Sequence, residues 1–296
     1  MTVAEHLRRS APELRIFDLP REQELYLRAL LWKDIRGFNA RLGPAQHFVG
    51  LEFSHFMEFS EAILGCKPSE GQRVLDIGGL QSPLGLYLAA KGCVVHVIDV
   101  DPAVQQQEQF AREAGMAHLL GQKKFVARRL DGRKTDYPDE FFDVIIALST
   151  LDHTNEHADS EILQEASRLL RRGGLCCVSV GYGPRFAEGH QGRWPVRTYS
   201  EKELDSRLIQ PVPQLGLLRK FYFGDDTVGL GRVWNRLPPF LKRWVFGWVV
   251  YAVGQATAAG DNSRKKTANR VCLLFQKGAE SPTPGTPLPS VAPGKA

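Results

Sequence analysis

A chain of 296 residues with 43% apolar composition has enough material for one large core or two small ones, which excludes a disordered or fibrous protein. Thirty-eight basic against 33 acidic residues leave a net charge of +5, and an excess that small and that dispersed argues against a dedicated nucleic-acid surface. The five cysteines, Cys66, Cys93, Cys176, Cys177 and Cys272, have no C-x-x-C spacing and read as buried reduced thiols; with no apolar signal core in MTVAEHLRRSAPELR, a cytoplasmic protein is expected.

The first 70 residues read as a helical cap. Glu22 to Phe38 sets Leu25, Leu27, Leu30, Leu31, Ile35 and Phe38 among charges at roughly helical spacing, and a second helix, about Val49 to Leu64, carries Phe53, Phe56, Met57 and Phe59. These helices are expected to pad the edge of a sheet or to cover a substrate.

Arg73 to Pro102, RVLDIGGLQSPLGLYLAAKGCVVHVIDVDP, reads as strand, turn, helix and second strand. Val74, Leu75 and Ile77 are an apolar run ending in Asp76-Ile77-Gly78-Gly79, a buried parallel strand entering a turn where side chains must be absent. Ser82 suits a helix N-cap and Pro83 the first helical position. Gly92 stops that helix, Val94 to Ile98 make the next strand, and Asp99 stands at its end, 23 residues beyond Asp76. An acid there can hold a ribose by both hydroxyls. A dinucleotide site would want glycine where Leu80 and Pro83 stand, so close approach of a pyrophosphate is not expected. On these residues alone another doubly wound nucleotide or flavin fold remains the alternative.

The stretch resembles motifs I and II of class I S-adenosylmethionine-dependent methyltransferases, in the variant whose turn continues as Ser-Pro into the helix. The resemblance implies an α/β fold over residues 71–279: a Rossmann-like, seven-stranded, mostly parallel sheet with helices on both faces. It implies S-adenosylmethionine as cofactor, with Asp76 and Gly78 beside its methionine part, Asp99 on its ribose, and Gly79, Gln81, Ser82 and Val100 in the same cradle. Leu80 departs from the commoner glycine, and Gly79 is expected to take over the positive-φ position.

Next comes a polar helix, Ala103 to Gly115, whose Gln105, Gln106, Gln107 and Glu108 read as a solvated face. Lys124 to Arg129 is a third strand leading to Leu130-Asp131-Gly132. The resemblance implies that Asp131 accepts from the adenine amino group, with Gly132 beside it; an aspartate before glycine also suits a plain turn. Tyr137 to Asp143 runs into a fourth strand, Val144 to Leu148, again similar to the family, and Leu148 is counted with the cofactor site. Ligands sit at strand C-termini in such sheets, so the methyl acceptor is expected at Ser149 to His153. His153 is the expected general base, with His157 and His190 as second choices. Asp152, His153, His157 and Asp159 also read as a metal cluster, but Thr154-Asn155 looks like a turn that breaks the spacing, and no metal is expected.

Glu161 to Leu170 is an amphipathic helix ended by Arg171-Arg172-Gly173-Gly174, and Leu175 to Gly181 a fifth strand. Gly181 to Ser200 reads as an irregular loop, suited to a lid or acceptor wall. Ser200 and Glu203 suggest a capping box on a helix Glu201 to Leu208. Leu217 to Phe223 and Val271 to Gln276 are strands six and seven, separated by a 47-residue insertion, Gly224 to Arg270. Its segment 237–253 follows i, i+3, i+4 apolar spacing and reads as a packed lid helix or dimer contact, or as a helix lying in a membrane surface. Residues 280–296, rich in Pro, Ser and Gly, are expected to be disordered.

The expected function is methylation, on oxygen, of a small-molecule, lipid or sugar-containing acceptor by in-line displacement from S-adenosylmethionine. A non-catalytic S-adenosylmethionine-binding regulator is the alternative. Nucleic acid is not an expected partner, because the fourth strand lacks the Asn/Asp-Pro-Pro-aromatic sequence of resembling base methylases.

Overall fold

The computed structural model describes residues 19, 21–42, 53–80, 82–155, 157–192, 194–224 and 268–278. Gln81, the segment 237–253 and the tail 280–296 lie outside the described residues. Two helices, α1 (Arg21–Arg41) and α2 (Phe53–Cys66), precede the sheet. Then follow β1 (Arg73–Ile77), α3 (Leu84–Ala90), β2 (Val94–Asp99), α4 (Gln106–Glu113), α5 (Ala117–Gly121), β3 (Phe125–Arg129), β4 (Phe142–Leu148), α6 (Ala158–Leu169) and β5 (Leu170–Tyr182). The described chain continues with β6 (Ala187–Gln191), β7 (Trp194–Tyr199), α7 (Glu201–Glu203), β8 (Leu215–Phe223) and β9 (Arg270–Lys277).

Strands β3-β2-β1-β4-β5 are parallel and adjacent in that order. β9 runs antiparallel to β5, and β8 antiparallel to β9. Those seven strands are the expected mostly parallel sheet. Both faces are covered, as a parallel sheet requires. Because strand side chains alternate, Val74, Val95, Val97, Val144, Ile146 and Cys177 enter one core with α1 to α5. Leu75, Ile77, Ile98, Ile145, Ala147 and Val178 enter the other, against α6. All five cysteines are buried, and none forms a disulfide.

The structure corrects several sequence expectations. Residues 181–200 are not an irregular loop. They hold β6 and β7, an antiparallel hairpin whose β7 pairs parallel to the last residues of β5, Gly181 with Thr198 and Tyr182 with Tyr199. Gly181 pairs with Arg270 of β9 as well, so β7 must occupy the β4 edge of β5, in line beyond the end of β4, whose last partner on β5 is Ser179.

The cap helices do not pad the sheet edge. α2 lies across β4, β5 and β9 on the sheet's face, with α1 packed on α2 and α3. Their buried side chains, including Trp32, Ile35, Met57 and Ala62, belong to the first core.

The helix after β2 begins as a 3-10 turn, Pro102–Gln105, capped by the Asp101 carboxylate accepting from Ala103 N–H at 2.9 Å. Gln107 on α4 is fully buried rather than solvated. It shares its inward face with Val104 and Ala111, three and four residues away.

The capping box at Ser200 does not form. The Ser200 hydroxyl hydrogen-bonds the Glu203 carboxylate instead, and the backbone continues from α7 into a single π-helical turn, Leu204–Ile209. Glu203 engaged by the hydroxyl no longer reaches back to a backbone N–H.

Candidate active site

The turn after β1 is shaped by three close approaches. Gly78 has φ +75°, and a Cβ built on it would stand 2.3 Å from Thr150 Oγ1 and Cγ2; no other residue type fits both the conformation and the space. Its N–H donates to the Ile98 carbonyl at 2.8 Å, tying the turn to β2. Thr150 in turn donates to the Ile77 carbonyl at 3.0 Å. The positive φ is therefore at Gly78 and not at Gly79 as the sequence suggested. Gly79 is needed for another reason: its Cβ would stand 2.5 Å from Asp76 Oδ2. Leu80, the departure from glycine, packs against the first core.

Gln107 is the residue that sequence reasoning missed. Its Nε2 donates to the carbonyls of Gly79 and, at 3.0 Å, Leu80, so a buried side chain from α4 pins the turn that Leu80 would otherwise leave less constrained. Its spacing from Val104 and Ala111 was the available signal. On the far side of the turn Ser82 Oγ accepts from Leu84 N–H at 3.2 Å, but the helix starts one residue later than the sequence suggested, with Pro83 at the cap position and Leu84 the first helical residue.

Asp76 is 4% exposed and its Oδ2 has no hydrogen-bond partner. Burial, followed by the negative charge of Asp99, pushes its carboxyl up from the ordinary 3.8 to about 7. Asp99 is half-buried; burial raises it too, partly offset by backbone hydrogen bonds, including Asp101 N–H at 2.9 Å. The glycine turn thus has two acids near enough that the charge of one raises the other. Val100, next in line, is 53% exposed. Gly132 is buried, with room for no Cβ: one would stand 2.9 Å from Ile77 Cγ2. Asp131 is differently placed from Asp76. Its carboxylate is held in a fork by the Arg133 guanidinium at 2.6 to 3.1 Å, which keeps it below its ordinary value. Leu148, half-buried, ends β4 and packs on the first core.

At the end of β4 the chain turns sharply: Ser149 adopts φ +49°, and a short 3-10 turn, Leu151–His153, follows. His153 Nδ1 lies 2.9 Å from the Pro195 carbonyl on β7. A carbonyl only accepts, so Nδ1 carries the proton and, in the neutral ring, Nε2 keeps its lone pair. The hairpin that delivers this carbonyl is itself anchored. Asp159 is fully buried and accepts from Tyr199 Oη at 2.7 Å and from Arg207 Nε at 2.8 Å, with Arg197 Nη1 at 3.2 Å.

Those contacts also separate the members of the supposed metal cluster. Asp159 faces the hairpin anchor, His157 is exposed at the start of α6, and among the described residues no group of three potential ligands is arranged for a metal. His190 lies exposed on β6.

The family described as "Methyltransferase domain" matches residues 75–178. That span begins in β1 and ends in β5, enclosing the glycine turn, both acids and the turn of His153. The chain carries a class I S-adenosylmethionine-dependent methyltransferase domain. None of the curated protein sequences matches the chain. Among solved structures it is similar to the [4+2]-cyclase SpnF, at 18% identity and a TM-score of 0.54, over 83% of this chain and 92% of that one. It is also similar to a protein from Galdieria sulphuraria provisionally named a sarcosine dimethylglycine methyltransferase, at 15% identity and a TM-score of 0.51, over 83% and 97% of the two chains. At such identities the likeness establishes the Rossmann-like fold, and a cyclase among the neighbours illustrates that this fold hosts more than one chemistry. The assignment of this methyltransferase, an enzyme whose cofactor is S-adenosylmethionine, rests on the family match together with the turn that encloses Asp76 and Asp99. Among the described residues no helix is long and apolar enough to cross a membrane.

Proposed function

We propose that this enzyme methylates an oxygen of a small-molecule, lipid or sugar-containing acceptor, with His153 as general base. The cofactor fits the residues present: an unpartnered buried carboxylate oxygen on Asp76, a turn at Gly78 and Gly79 that a Cβ would fill, and a second acid at the end of β2. In this reading Asp76, Gly78 and Gly79 take the methionine part, Asp99 the ribose hydroxyls and Val100 a face of the adenine. Asp131 accepts from the adenine amino group only by opening its fork with Arg133. When bound, S-adenosylmethionine supplies a methyl carbon made electrophilic by its sulfonium.

The chain's own work is alignment and proton removal. Holding acceptor and donor in line accounts for roughly 7 to 11 kcal/mol of barrier lowering at best, and a positioned base for about 10² to 10⁴ in rate. The observation that carries the choice of His153 is its Nδ1 contact with Pro195 O, which leaves Nε2 available at the end of β4 to take the acceptor's proton. His157 and His190 are both exposed. The test follows methyl transfer from radiolabelled S-adenosylmethionine to a panel of hydroxyl-bearing acceptors. His153→Ala should lower kcat by about 10² or more while S-adenosylhomocysteine still binds; full activity in that variant would remove His153 from the chemistry.

A further inference from the structure

Beside the turn that carries His153 stands a polar cluster with two buried oxygens left over. Arg270 opens β9 beside Gly181, at the C-terminal end of β5. Its guanidinium donates to Ser149 Oγ at 2.7 Å and lies 3.4 Å from Glu58 Oε1 and 3.7 Å from Asp152 Oδ2. The Ser149 hydroxyl in turn donates to Glu58 Oε1 at 2.7 Å, and Gly181 N–H donates to Asp152 Oδ2 at 3.2 Å. The remaining oxygens, Glu58 Oε2 and Asp152 Oδ1, have no hydrogen-bond partner, in side chains only 1% and 2% exposed.

Among the described residues two acids share one guanidinium here, and burial, with Glu58 beside it, pushes the Asp152 carboxyl up against the pull of Arg270. A buried charge is ordinarily paired, because its desolvation is costly otherwise. The next acids along the cap do not share this deficit: Glu61, one turn further on α2, and Glu24 are matched by Arg28 and Arg219. The backbone at Ser149, in the left-handed region at φ +49°, holds its hydroxyl between Glu58 and Arg270, a conformation that persists only where surroundings impose it. Three distant parts of the chain, α2, the end of β4 and the start of β9, thus converge at the strand C-termini, the end of the sheet where ligands bind.

We infer that Glu58 and Asp152 receive a protonated amino group of the methyl acceptor, which donates to Glu58 Oε2 and Asp152 Oδ1 while another atom of the same molecule faces His153. This rests on the methyl-transfer reading and narrows its acceptor to an amine-bearing molecule.

The experiment is calorimetry on the full-length protein, first with S-adenosylhomocysteine and then, in its presence, with three probes of matched size: n-butylamine, n-butanol and butyrate. Butylamine should bind at least about tenfold more tightly than the other two, the worth of one or more charge-assisted hydrogen bonds. Glu58→Gln and Asp152→Asn, each close in shape to the original, should each remove that preference while S-adenosylhomocysteine still binds. If one variant does not fold, the other and the ranking in the unaltered protein decide. Binding of S-adenosylhomocysteine with no response to butylamine, equal or tighter binding of butanol or butyrate, or an unchanged preference in the folded variants would overturn the inference and leave the methyl-transfer reading standing. Failure of S-adenosylhomocysteine to bind would take both down.

Discussion

Two groups of buried acids in this protein meet opposite fates. In the cap, Glu24 and Glu61 lie against the fully buried Arg28, whose Nε and Nη2 donate to Glu24 at 3.0 and 2.6 Å and whose Nη2 also pairs with Glu61. Arg219 reaches both acids from β8, and Phe221 lies under both guanidinium groups at 4.7 Å. Burial works to raise Glu24, yet the charges and hydrogen bonds of Arg28 and Arg219 hold it below its ordinary value. At the glycine turn, Asp76 is as deeply buried, and the charge acting on it among the described residues is that of another acid, Asp99. The first arrangement sets two guanidinium groups against two acids and fastens helices to the sheet. The second leaves Asp76 Oδ2 without a hydrogen-bond partner, and a perturbed buried acid of this kind marks a candidate functional site.

The comparison breaks most visibly at Arg28. Removing one member of a buried, matched network leaves the others uncompensated, so Arg28→Met should destabilise the fold by about 3 to 5 kcal/mol, read by denaturant unfolding. Its effect on S-adenosylhomocysteine affinity, measured on protein still folded, should be small. Asp99→Ala should do the reverse. Two charge-assisted hydrogen bonds to a ribose are worth roughly 3 kcal/mol together at the low end, or about a hundredfold in Kd, while the unfolding midpoint scarcely moves. Unaltered affinity there would dissolve the assignment of the turn as a cofactor site.

Asp76 sharpens the contrast through pH. Its carboxyl is raised from 3.8 to about 7 by burial and by Asp99, so the folded state holds a proton that the unfolded chain has lost. The stability this gives is fully present below about 4 and is lost as pH climbs to about 7. Asp76→Asn, which cannot ionise, should therefore gain stability relative to the unaltered protein as pH rises towards 7, read as a difference in thermal midpoints that widens with pH. If the bound cofactor needs the carboxylate, S-adenosylhomocysteine affinity should fall as pH drops below about 7, and the variant should lose both the affinity and its pH dependence. A variant equally destabilised at every pH would mean that Asp76 is a structural acid.

The turn itself was plain in the sequence because its constraints are local. Gly78, Gly79, Asp76 and Asp99 are set by one strand-turn-helix-strand unit in which composition and spacing coincide. The parallel order of five strands follows from the same alternation repeated. What escaped were residues whose role depends on a distant partner. Gln107 looked solvated beside Gln105 and Gln106, and only the burial of Val104 and Ala111 on the same face separates it from them. Glu58 reads as one acid among aromatics, and Arg270 as the edge of an insertion; 212 residues separate the pair that lies 3.4 Å apart. The β6–β7 hairpin was hidden because its glycines and aromatics carry no alternation, and its pairing is set by Gly181 and Tyr182 extending past the end of β4.

That hairpin supplies the smallest expected effect and the most local one. The proton on His153 Nδ1 is held by a single neutral hydrogen bond to Pro195 O, worth about 1 kcal/mol. The carbonyl stays in place because β7 is tied down two residues later, where Arg197 is bound by Glu188 at 3.0 Å and by Asp159 at 3.2 Å. Nitrogen NMR of the imidazole should therefore find Nδ1 protonated and Nε2 bare in the neutral ring. Arg197→Gln loosens the strand without touching His153, and it should shift the population towards the other tautomer, with a fall in kcat and little change in S-adenosylhomocysteine affinity. A purely structural role for Arg197 would lower the unfolding midpoint and leave the tautomer as it was. If the unaltered protein already carries the proton on Nε2, the hairpin does not orient the ring, and the base at the end of β4 would have to be another group.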